Sequence, residues 1–200
     1  MHWGDSPDEA APVIRRALKQ VGFLIKPVAK LVLSLFFKRK YLQGRHFDTS
    51  YGGYFWAVRS VWQKNILRLA RPLPWPSGLT CYVSNPDNLV FHPDDINNFQ
   101  SPGIYLQNFK GTIHLGRGTY IAPNVGIITA NHRLDALDEH EDGQDVVIGE
   151  KCWIGMNAVI LPGVVLGDKT VVAAGAVVNR GFPQGHCVIG GTPARILKEI

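Results

Sequence analysis

Aliphatic residues recur at every sixth position in the C-terminal half of the chain. They are Ile148, Ile154, Ile160, Leu166, Val172 and Val178. An amphipathic helix would space them by three or four residues, and a single strand by two. A strand that used all these positions would be far longer than the ordinary length of about five or six residues, and Pro162 and several glycines would interrupt it. A six-residue period is instead typical of a parallel β-helix, in which each short strand forms one side of a coil and glycines occupy the tight corners.

The same period extends upstream, with one interruption. Leu115, Ile121 and Ile127 share it, but the interval from Ile127 to Ile148 is not a multiple of six. The intervening stretch NHRLDALDEHEDGQD is polar and rich in charge. The pattern therefore predicts a coil with about eighteen residues per turn, from which a loop near residues 131–145 projects. A polar loop that interrupts a regular solenoid is a preferred place for function.

The chain before the repeat shows helical signals. Ser6, Pro7 and Glu9 form a capping box, which predicts the start of a helix that Pro27 ends or kinks. We therefore predict two regions: residues 1–78, a helical region with a proline-rich linker, and residues 79–200, the β-helix followed by a short C-terminal helix.

A second helix is predicted from Pro27 to Tyr41, with a further helix in the stretch GGYFWAVRSVWQKNILRLA. Polar residues recur four apart at Lys26, Lys30, Ser34 and Lys38, which makes one narrow polar stripe on a mainly apolar helix. Two interpretations stay open. The helix could pack against the main domain or a neighbouring subunit, or it could lie on an anionic membrane surface through residues 27–41.

Composition narrows the partners. The 200 residues are 46% hydrophobic and 18% charged, which favours a folded chain over a disordered one. The net charge of +5 suits an anionic partner. We expect no nucleic acid, because the repeat lacks a dense Lys/Arg cluster with interleaved aromatics. Three widely spaced cysteines and an acidic, polar start favour a cytoplasmic location, with the inner face of the membrane as the alternative.

Three stretches closely resemble one protein family. IAPNVGIITANHRLD, VVIGEKCWIGMNAVILPGVVLGDKTVVAAGAVV and VIGGTPARILKEI are similar to the hexapeptide-repeat acyltransferases, and nearest to the sugar and polysaccharide O-acetyltransferases. The resemblance implies an all-β fold built on a left-handed parallel β-helix. It also implies a homotrimer with acetyl-CoA bound between neighbouring subunits.

The resemblance also implies a reaction, the transfer of an acetyl group from acetyl-CoA to a hydroxyl of a sugar or polysaccharide, including one carried on a lipid. The family's catalytic histidine matches His132 in ANHRLD. An imidazole, with a pKa near 6.5, suits the role of general base at neutral pH. Without the motif, a loop histidine would be read as a surface residue. Asp135 could orient the ring or be an ordinary exposed carboxylate.

The family's donor and acceptor positions map onto further residues. For acetyl-CoA, the resemblance implies Trp153, Met156, Ala174, Asn179, Arg180, Arg195 and Lys198. The basic residues suit phosphates, because cations form charge-assisted hydrogen bonds with them. By themselves, these residues could equally be a solvated tail and, for Trp153, core packing. Gln100 and Gln107 are the candidates for contact with the acceptor.

Other functions remain open. The acceptor could be an amine or a serine. His114 and His132, one coil apart, with His140 in the same loop, could hold zinc, although the metal-dependent β-helix enzymes use a closely spaced histidine pair that this sequence lacks. A non-catalytic β-helix would keep the fold alone, which the combination of His132, Trp153 and a basic C-terminus disfavours. The acetyltransferase that the resemblance implies requires no metal.

Overall fold

The computed structural model describes residues 25–200. In this range, helix α1 covers residues 25–33, and helix α2 (Gly52–Ser60) continues into a π-helical segment (Val61–Ile66). Short 3-10 or π-helical turns lie at Arg39–Tyr41, Arg45–Thr49, Pro86–Asn88 and Pro93–Gln100. The strands are β1 (Tyr82–Val83), β2 (Leu89–Val90), β3 (Tyr105–Gln107), β4 (Ile113–Leu115), β5 (Tyr120–Ile121), β6 (Gly126–Ile128), β7 (Val146–Ile148), β8 (Trp153–Ile154), β9 (Val159–Ile160), β10 (Val165–Leu166), β11 (Val171–Val172), β12 (Val177–Val178), β13 (Cys187–Gly191) and β14 (Ala194–Glu199).

These strands form three sheets that are almost wholly parallel. Sheet A has the order β1-β3-β6-β9-β12, sheet B the order β10-β7-β4-β2, and sheet C the order β14-β13-β11-β8-β5. Successive strands after β3 fall in different sheets until β13, so the chain winds as a coil with three sides. The predicted parallel β-helix is confirmed.

The register of the strands locates the projecting loop. Ile148 pairs with Leu166, one regular coil further on, as the six-residue period predicts. Leu115 pairs with Ile148, whereas an uninterrupted coil would have paired it with the position of Arg133. The interval from Arg133 to Ile148 equals the length of the predicted loop at 131–145, so one coil carries this loop as an insertion without losing register.

The aliphatic residues of the repeat form the core of the coil. Each of the six from Ile148 to Val178 is at most 1% exposed. Fully burying a Val, Leu or Ile side chain contributes about 1.5–3 kcal/mol. The period of six therefore marks one position in each side of the coil, and the residue two places before it is buried as well.

Glycines form the corner between sheets B and C, where successive coils approach closely. A Cβ on Gly149 would lie 2.6 Å from the backbone nitrogen of Asp168 and 2.7 Å from the carbonyl carbon of Gly167. A Cβ on Gly116 would lie 2.3 Å from the carbonyl carbon of Gly149. No side chain fits at these distances, and the predicted corner role of the glycines is confirmed.

The predicted C-terminal helix is wrong, because residues 194–199 form strand β14. This strand pairs antiparallel with β13, with Gly191 opposite Ala194 and Cys187 opposite Glu199. A helix of this length would be marginal in water by itself. As a strand, the segment satisfies the backbone groups that β13 would otherwise leave open at the edge of sheet C.

The N-terminal region departs from the predicted boundaries. The helix predicted to begin at Ser6 lies mostly outside the described residues. Residues 25–33 are all helical, so Pro27 does not end a helix there. The helix predicted from Pro27 to Tyr41 already ends at residue 33, and the N–H of Lys38 donates instead to the carbonyl of Pro74 at 2.9 Å. Contact with the proline-rich segment thus replaces the last helical turns.

One aromatic cluster joins the helical region to the coil. Trp75 is fully buried, and its ring centroid lies 5.2 Å from that of Tyr41, 5.0 Å from that of Phe91 and 5.3 Å from that of Phe99. The contacts with Tyr41 and Phe91 are edge-to-face, an arrangement that stabilises beyond the area that it buries. The segment predicted as a linker is therefore packed into a core that the helices and the first coil share. None of the helices described in residues 25–200 has the length and apolar character needed to cross a bilayer.

Candidate active site

His132 lies at the base of the 131–145 loop, which leaves the coil between β6 of sheet A and β7 of sheet B. The side chain of Gln107 fixes the backbone just before it. Its Oε1 accepts hydrogen bonds from the N–H groups of Thr129 and Ala130, both at 3.2 Å, and its Nε2 donates to the carbonyl of Ala130 at 3.0 Å. The amide thus anchors the chain just ahead of His132.

The far side of the loop is held by a lysine. The Nζ of Lys110 donates to the carbonyls of His140 at 2.9 Å and of Glu141 at 3.0 Å. His132 and His140 face each other as an antiparallel bridge across the loop. Their ring centroids are 4.1 Å apart, and the edge of the His140 ring meets Phe109 at 4.8 Å between centroids. The His132 ring is therefore packed on one side even though it is exposed.

The hydrogen bond of His132 determines which of its nitrogens is free. Its Nδ1 lies 2.7 Å from the carbonyl oxygen of Leu137. A carbonyl oxygen only accepts, so Nδ1 carries the proton and donates. In the neutral ring, Nε2 then has the lone pair and is able to take a proton from a bound hydroxyl. This is the arrangement that a general base needs.

Asp135 does not contact His132 but forms an ion pair with Arg133. Arg133 Nη2 donates to Asp135 Oδ2 at 2.7 Å, and Nη1 donates to Glu139 Oε2 at 2.9 Å. The Arg133 hydrogen bond holds the pKa of Asp135 below its ordinary value. Exposed ion pairs contribute little to stability, so this cluster adds little to the stability of the loop. The backbone carbonyl of Leu137, not Asp135, orients the His132 ring.

Trp153 faces outward from sheet C and is 57% exposed, so its ring is not core packing. It is in register with Tyr120 on one side and Val171 on the other. Val171 pairs in turn with Val188, and Val188 pairs with Lys198, which is also exposed and ends the row. This row presents an apolar surface that ends in a cation.

Met156 and Ala174 lie at the edge between sheets C and A, in adjacent coils, and both are exposed. The carbonyl of Met156 accepts a hydrogen bond from the N–H of Gly175 at 2.8 Å. This bond holds the two corners side by side, so a long ligand along this edge would meet both residues.

The predicted phosphate-binding residues fall into two places. Asn179 and Arg180 are exposed at the edge between sheets A and B, two coils beyond His132, and the Arg180 guanidinium lies 5.3 Å from the centroid of the Phe182 ring. Arg195 is exposed on β14 opposite Gly190. Sheet A therefore separates His132 and Arg180 from the residues of sheet C within one chain.

Gln100 is placed at the junction with the helical region. Its Nε2 donates to the carbonyls of Pro76 at 2.8 Å and Ile96 at 3.2 Å, and its Oε1 accepts from Arg59 at 2.9 Å. Both amide atoms of Gln100, like those of Gln107, are engaged within the protein. Contact of either residue with an acceptor stays a prediction, and it would require one of these bonds to be exchanged.

Metal ligation was the alternative suggested by the histidines. In residues 25–200, no three His, Cys, Asp or Glu side chains come close enough to form a metal site. His114 lies on β4, in sheet B, in register with Val147.

Comparison with known proteins confirms the resemblance. Residues 145–180 match the family model described as "Bacterial transferase hexapeptide (six repeats)". A Saccharomyces cerevisiae protein named as an acetyltransferase by inference is 42% identical to this chain over 128 residues. The match covers 57% of this chain and 64% of that protein. The galactoside O-acetyltransferase of Escherichia coli is 34% identical over 93 residues, or 44% of this chain and 45% of that enzyme.

One solved structure is also similar to part of this chain. The hexapeptide-repeat acetyltransferase of Vibrio cholerae, in complex with acetyl coenzyme A, is 37% identical over 48% of this chain and 53% of that chain, with a TM-score of 0.44. The chain thus spans between 45% and 64% of the lengths of the curated relatives named above. What is similar to known proteins is the hexapeptide-repeat part of the chain.

Sequence reasoning missed the residues that position His132. The carbonyl of Leu137 leaves no signal in the sequence, because every residue type carries a backbone carbonyl. The sequence suggests His140 only as a metal ligand, whereas in the structure its ring packs against His132 and Phe109. Gln107 lies a full coil before His132 in the sequence, and only the winding of the chain brings it to the base of the loop.

Proposed function

We propose that this protein transfers an acetyl group from acetyl-CoA to a hydroxyl of a saccharide, with His132 as the general base. The observation that carries the proposal is the 2.7 Å contact between His132 Nδ1 and the Leu137 carbonyl, which leaves Nε2 free. The name of the Escherichia coli relative supports both the acetyl group and the sugar acceptor.

The chemistry needs no covalent intermediate on the protein, because the thioester is already activated. Nε2 of His132 takes the hydroxyl proton while the hydroxyl oxygen attacks the thioester carbonyl carbon. The carbon–sulfur bond breaks, the ester forms, and the proton passes from the imidazole to the departing thiolate. Coenzyme A with a free thiol is the second product. General base assistance typically contributes about a hundredfold to ten-thousandfold to such a step.

We propose that the site is completed between subunits of a left-handed β-helix trimer. Support comes from the division of the predicted residues in one chain. His132 and Arg180 lie at one edge of sheet A, whereas Met156 and Ala174 lie at its other edge and Trp153 lies beyond, on sheet C. A second copy that packs its sheet C beside the loop of the first would bring the two groups together. Asn179, Arg180, Arg195 and Lys198 would then meet the phosphates of acetyl-CoA.

The test is a screen of free and lipid-linked sugars with acetyl-CoA, in which the released thiol is measured. We expect His132→Ala to lower turnover about a hundredfold or more while the thermal shift caused by acetyl-CoA persists. His114→Ala is the matched control, because His114 lies on β4 of sheet B, in register with Val147 and outside the loop, and it should retain activity. Full activity of His132→Ala would remove His132 from this role. No thiol release with any sugar, together with no thermal shift, would overturn the proposed function.

A further inference from the structure

The helical region carries an apolar surface that faces solvent. On α1 and the turn after it, Ile25, Val28, Leu31, Val32, Leu35 and Phe36 are between 41% and 80% exposed. At the N-cap of α2, on α2 and on its π-helical extension, the exposed residues are Tyr51, Phe55, Val58, Trp62 and Ile66, between 54% and 67% exposed. We call these eleven residues the N-terminal apolar face. Single exposed apolar residues are ordinary, but a contiguous set of this size marks an interaction site.

The two helices present one continuous surface. Ile25 and Val32 of the first helix line a groove together with Tyr51 and Val58 at the second. Whatever covers one helix therefore meets the other as well.

Helix α1 turns its polar stripe toward the rest of the protein, whereas an amphipathic helix usually buries its apolar side. Its polar stripe faces the protein: Lys30 forms an ion pair with the Asp48 carboxylate, and Lys26 Nζ donates to the Asp48 carbonyl at 2.7 Å. Leu33 and Phe37 are buried beside this stripe, at 8% and 4% exposure. These contacts hold the broad apolar side of the helix outward.

The charge around this face is strongly one-sided. Residues 25–76 contain ten Lys and Arg but a single acidic residue, Asp48, a net charge of +9. Residues 77–200 contain eight Lys and Arg against twelve Asp and Glu, a net charge of −4. Both apolar stripes end in exposed cations. Arg39 and Lys40 follow Phe36, and Arg68 follows Ile66.

We infer that the N-terminal apolar face binds the surface of a membrane that contains anionic lipids. Apolar side chains enter the boundary of the acyl chains, Trp62 and Tyr51 suit the level of the headgroups, and the flanking cations meet the lipid phosphates. A second copy is the poorer occupant in a face-to-face contact, because it would bring the exposed cations of two such faces together. A saccharide carried on a lipid then fits as acceptor, an extension that rests on the proposed function.

The first experiment is flotation of the full chain with vesicles of phosphatidylcholine alone or with added phosphatidylglycerol, without acetyl-CoA. We expect binding to the anionic vesicles and at least a tenfold loss of binding at high salt, because salt screens the charges. No binding at low salt overturns the inference and leaves the proposed acetyl transfer untouched.

Paired variants test the face itself. Leu35→Ser with Phe55→Ser removes two of its most exposed side chains, and Arg39→Gln with Lys40→Gln removes cations at its end; each pair should lower binding at least tenfold. The matched controls lie on the coil and its projecting loop and should bind as the wild type does: Val90→Ser with Leu134→Ser, and Lys151→Gln with Lys169→Gln, all exposed.

Two results would contradict the membrane assignment even if the wild type binds vesicles. In the first, both variant pairs of the face bind as strongly as the wild type. In the second, the Leu35→Ser, Phe55→Ser pair lowers the mass of the assembly measured by light scattering and leaves vesicle binding unchanged, which would assign the face to a contact between subunits. The charge variant keeps the test decisive if the apolar pair fails to fold.

Discussion

At the scale of single residues, two neighbours of different kinds fix the tautomer and the orientation of the His132 imidazole. A backbone carbonyl, that of Leu137, fixes the proton on Nδ1 of His132, and the ring of His140 packs against its face. Their effect is geometric, because a base contributes only if its free nitrogen is held toward the proton that it takes.

Substitutions of His140 test whether this residue supports His132 by packing or takes part in the chemistry. His140→Ala should lower the turnover number about ten- to hundredfold, because the His132 ring would lose the surface that limits its rotation. His140→Phe should restore most of the turnover, since an aromatic ring at the same place keeps the contacts with His132 and Phe109. Steady-state kinetics with both variants measures this, and the KM for acetyl-CoA should stay constant. If phenylalanine fails to rescue a variant that is folded, the imidazole of His140 takes part in the chemistry itself.

Arg180 and Arg195 should affect binding rather than turnover. Replacing both by alanine removes two exposed cations that we assign to phosphates far from the reacting carbonyl. Such contacts stabilise the ground state and the transition state equally, so the KM for acetyl-CoA should rise while the turnover number at saturation changes little. Lys151→Ala with Lys169→Ala serves as the control for lost charge. A decrease in turnover alone would show that the two arginines are wrongly placed.

At the scale of elements, the coil depends on corners that have no room for a side chain. Its strands are mostly two or three residues long, so no strand is stable by itself, and each is held by the coils before and after it. The close approach of Gly116, Gly149 and Gly167 lets those coils stack at hydrogen-bonding distance.

Gly149→Ala tests this stacking. The added Cβ would lie 2.6 Å from the backbone nitrogen of Asp168, so the two coils must separate. We expect a loss of about 1–3 kcal/mol in the free energy of unfolding, the usual cost of forcing extra atoms into a packed region. Gly126→Ala is the control, because a Cβ there would only meet Val159 at 3.9 Å, and it should change stability little. Equal effects of the two substitutions in urea denaturation would show that the corner is not tightly packed.

At the scale of the whole molecule, the helical region and the coil share one core, and a charge is buried beneath the helices. Lys64 is 1% exposed, and its Nζ donates to the hydroxyl of Ser77 at 2.8 Å. Burial lowers the pKa of Lys64 below its ordinary value of 10.5, and the nearby Arg59 guanidinium acts in the same direction. Between the lowered pKa and 10.5, the unfolded chain holds more protons on this group than the folded protein does. Stability therefore rises with pH across that interval.

Lys64→Met should remove this pH dependence. As the pH is raised from neutrality toward about 10, the wild type should gain stability relative to the variant, because only the wild type sheds the buried charge. Chemical denaturation of both proteins at several pH values measures the difference. A constant difference over the whole range would mean that the lysine keeps its ordinary pKa. Lys151→Met, which removes an exposed lysine, controls for general charge effects.

The sequence alone determined the coil. The six-residue period from Ile148 to Val178 predicted a three-sided coil, because each side of such a coil turns an aliphatic side chain inward at the same position. The break in that period located the loop. His132 could also be singled out, since the motif around it is local and contiguous. These features were predictable because the interactions that produce them repeat at fixed distances along the chain.

Tertiary structure alone decided which way the elements face. The polar stripe of α1 was visible in the sequence, but only the position of Asp48 showed that it points inward and leaves the apolar side exposed. In the same way, residues 194–199 became a strand because β13 offered an open edge, and a carbonyl rather than Asp135 came to orient His132. In each case the deciding partner lies elsewhere in the chain or is a backbone group, and neither its distance nor its direction is encoded in the local pattern.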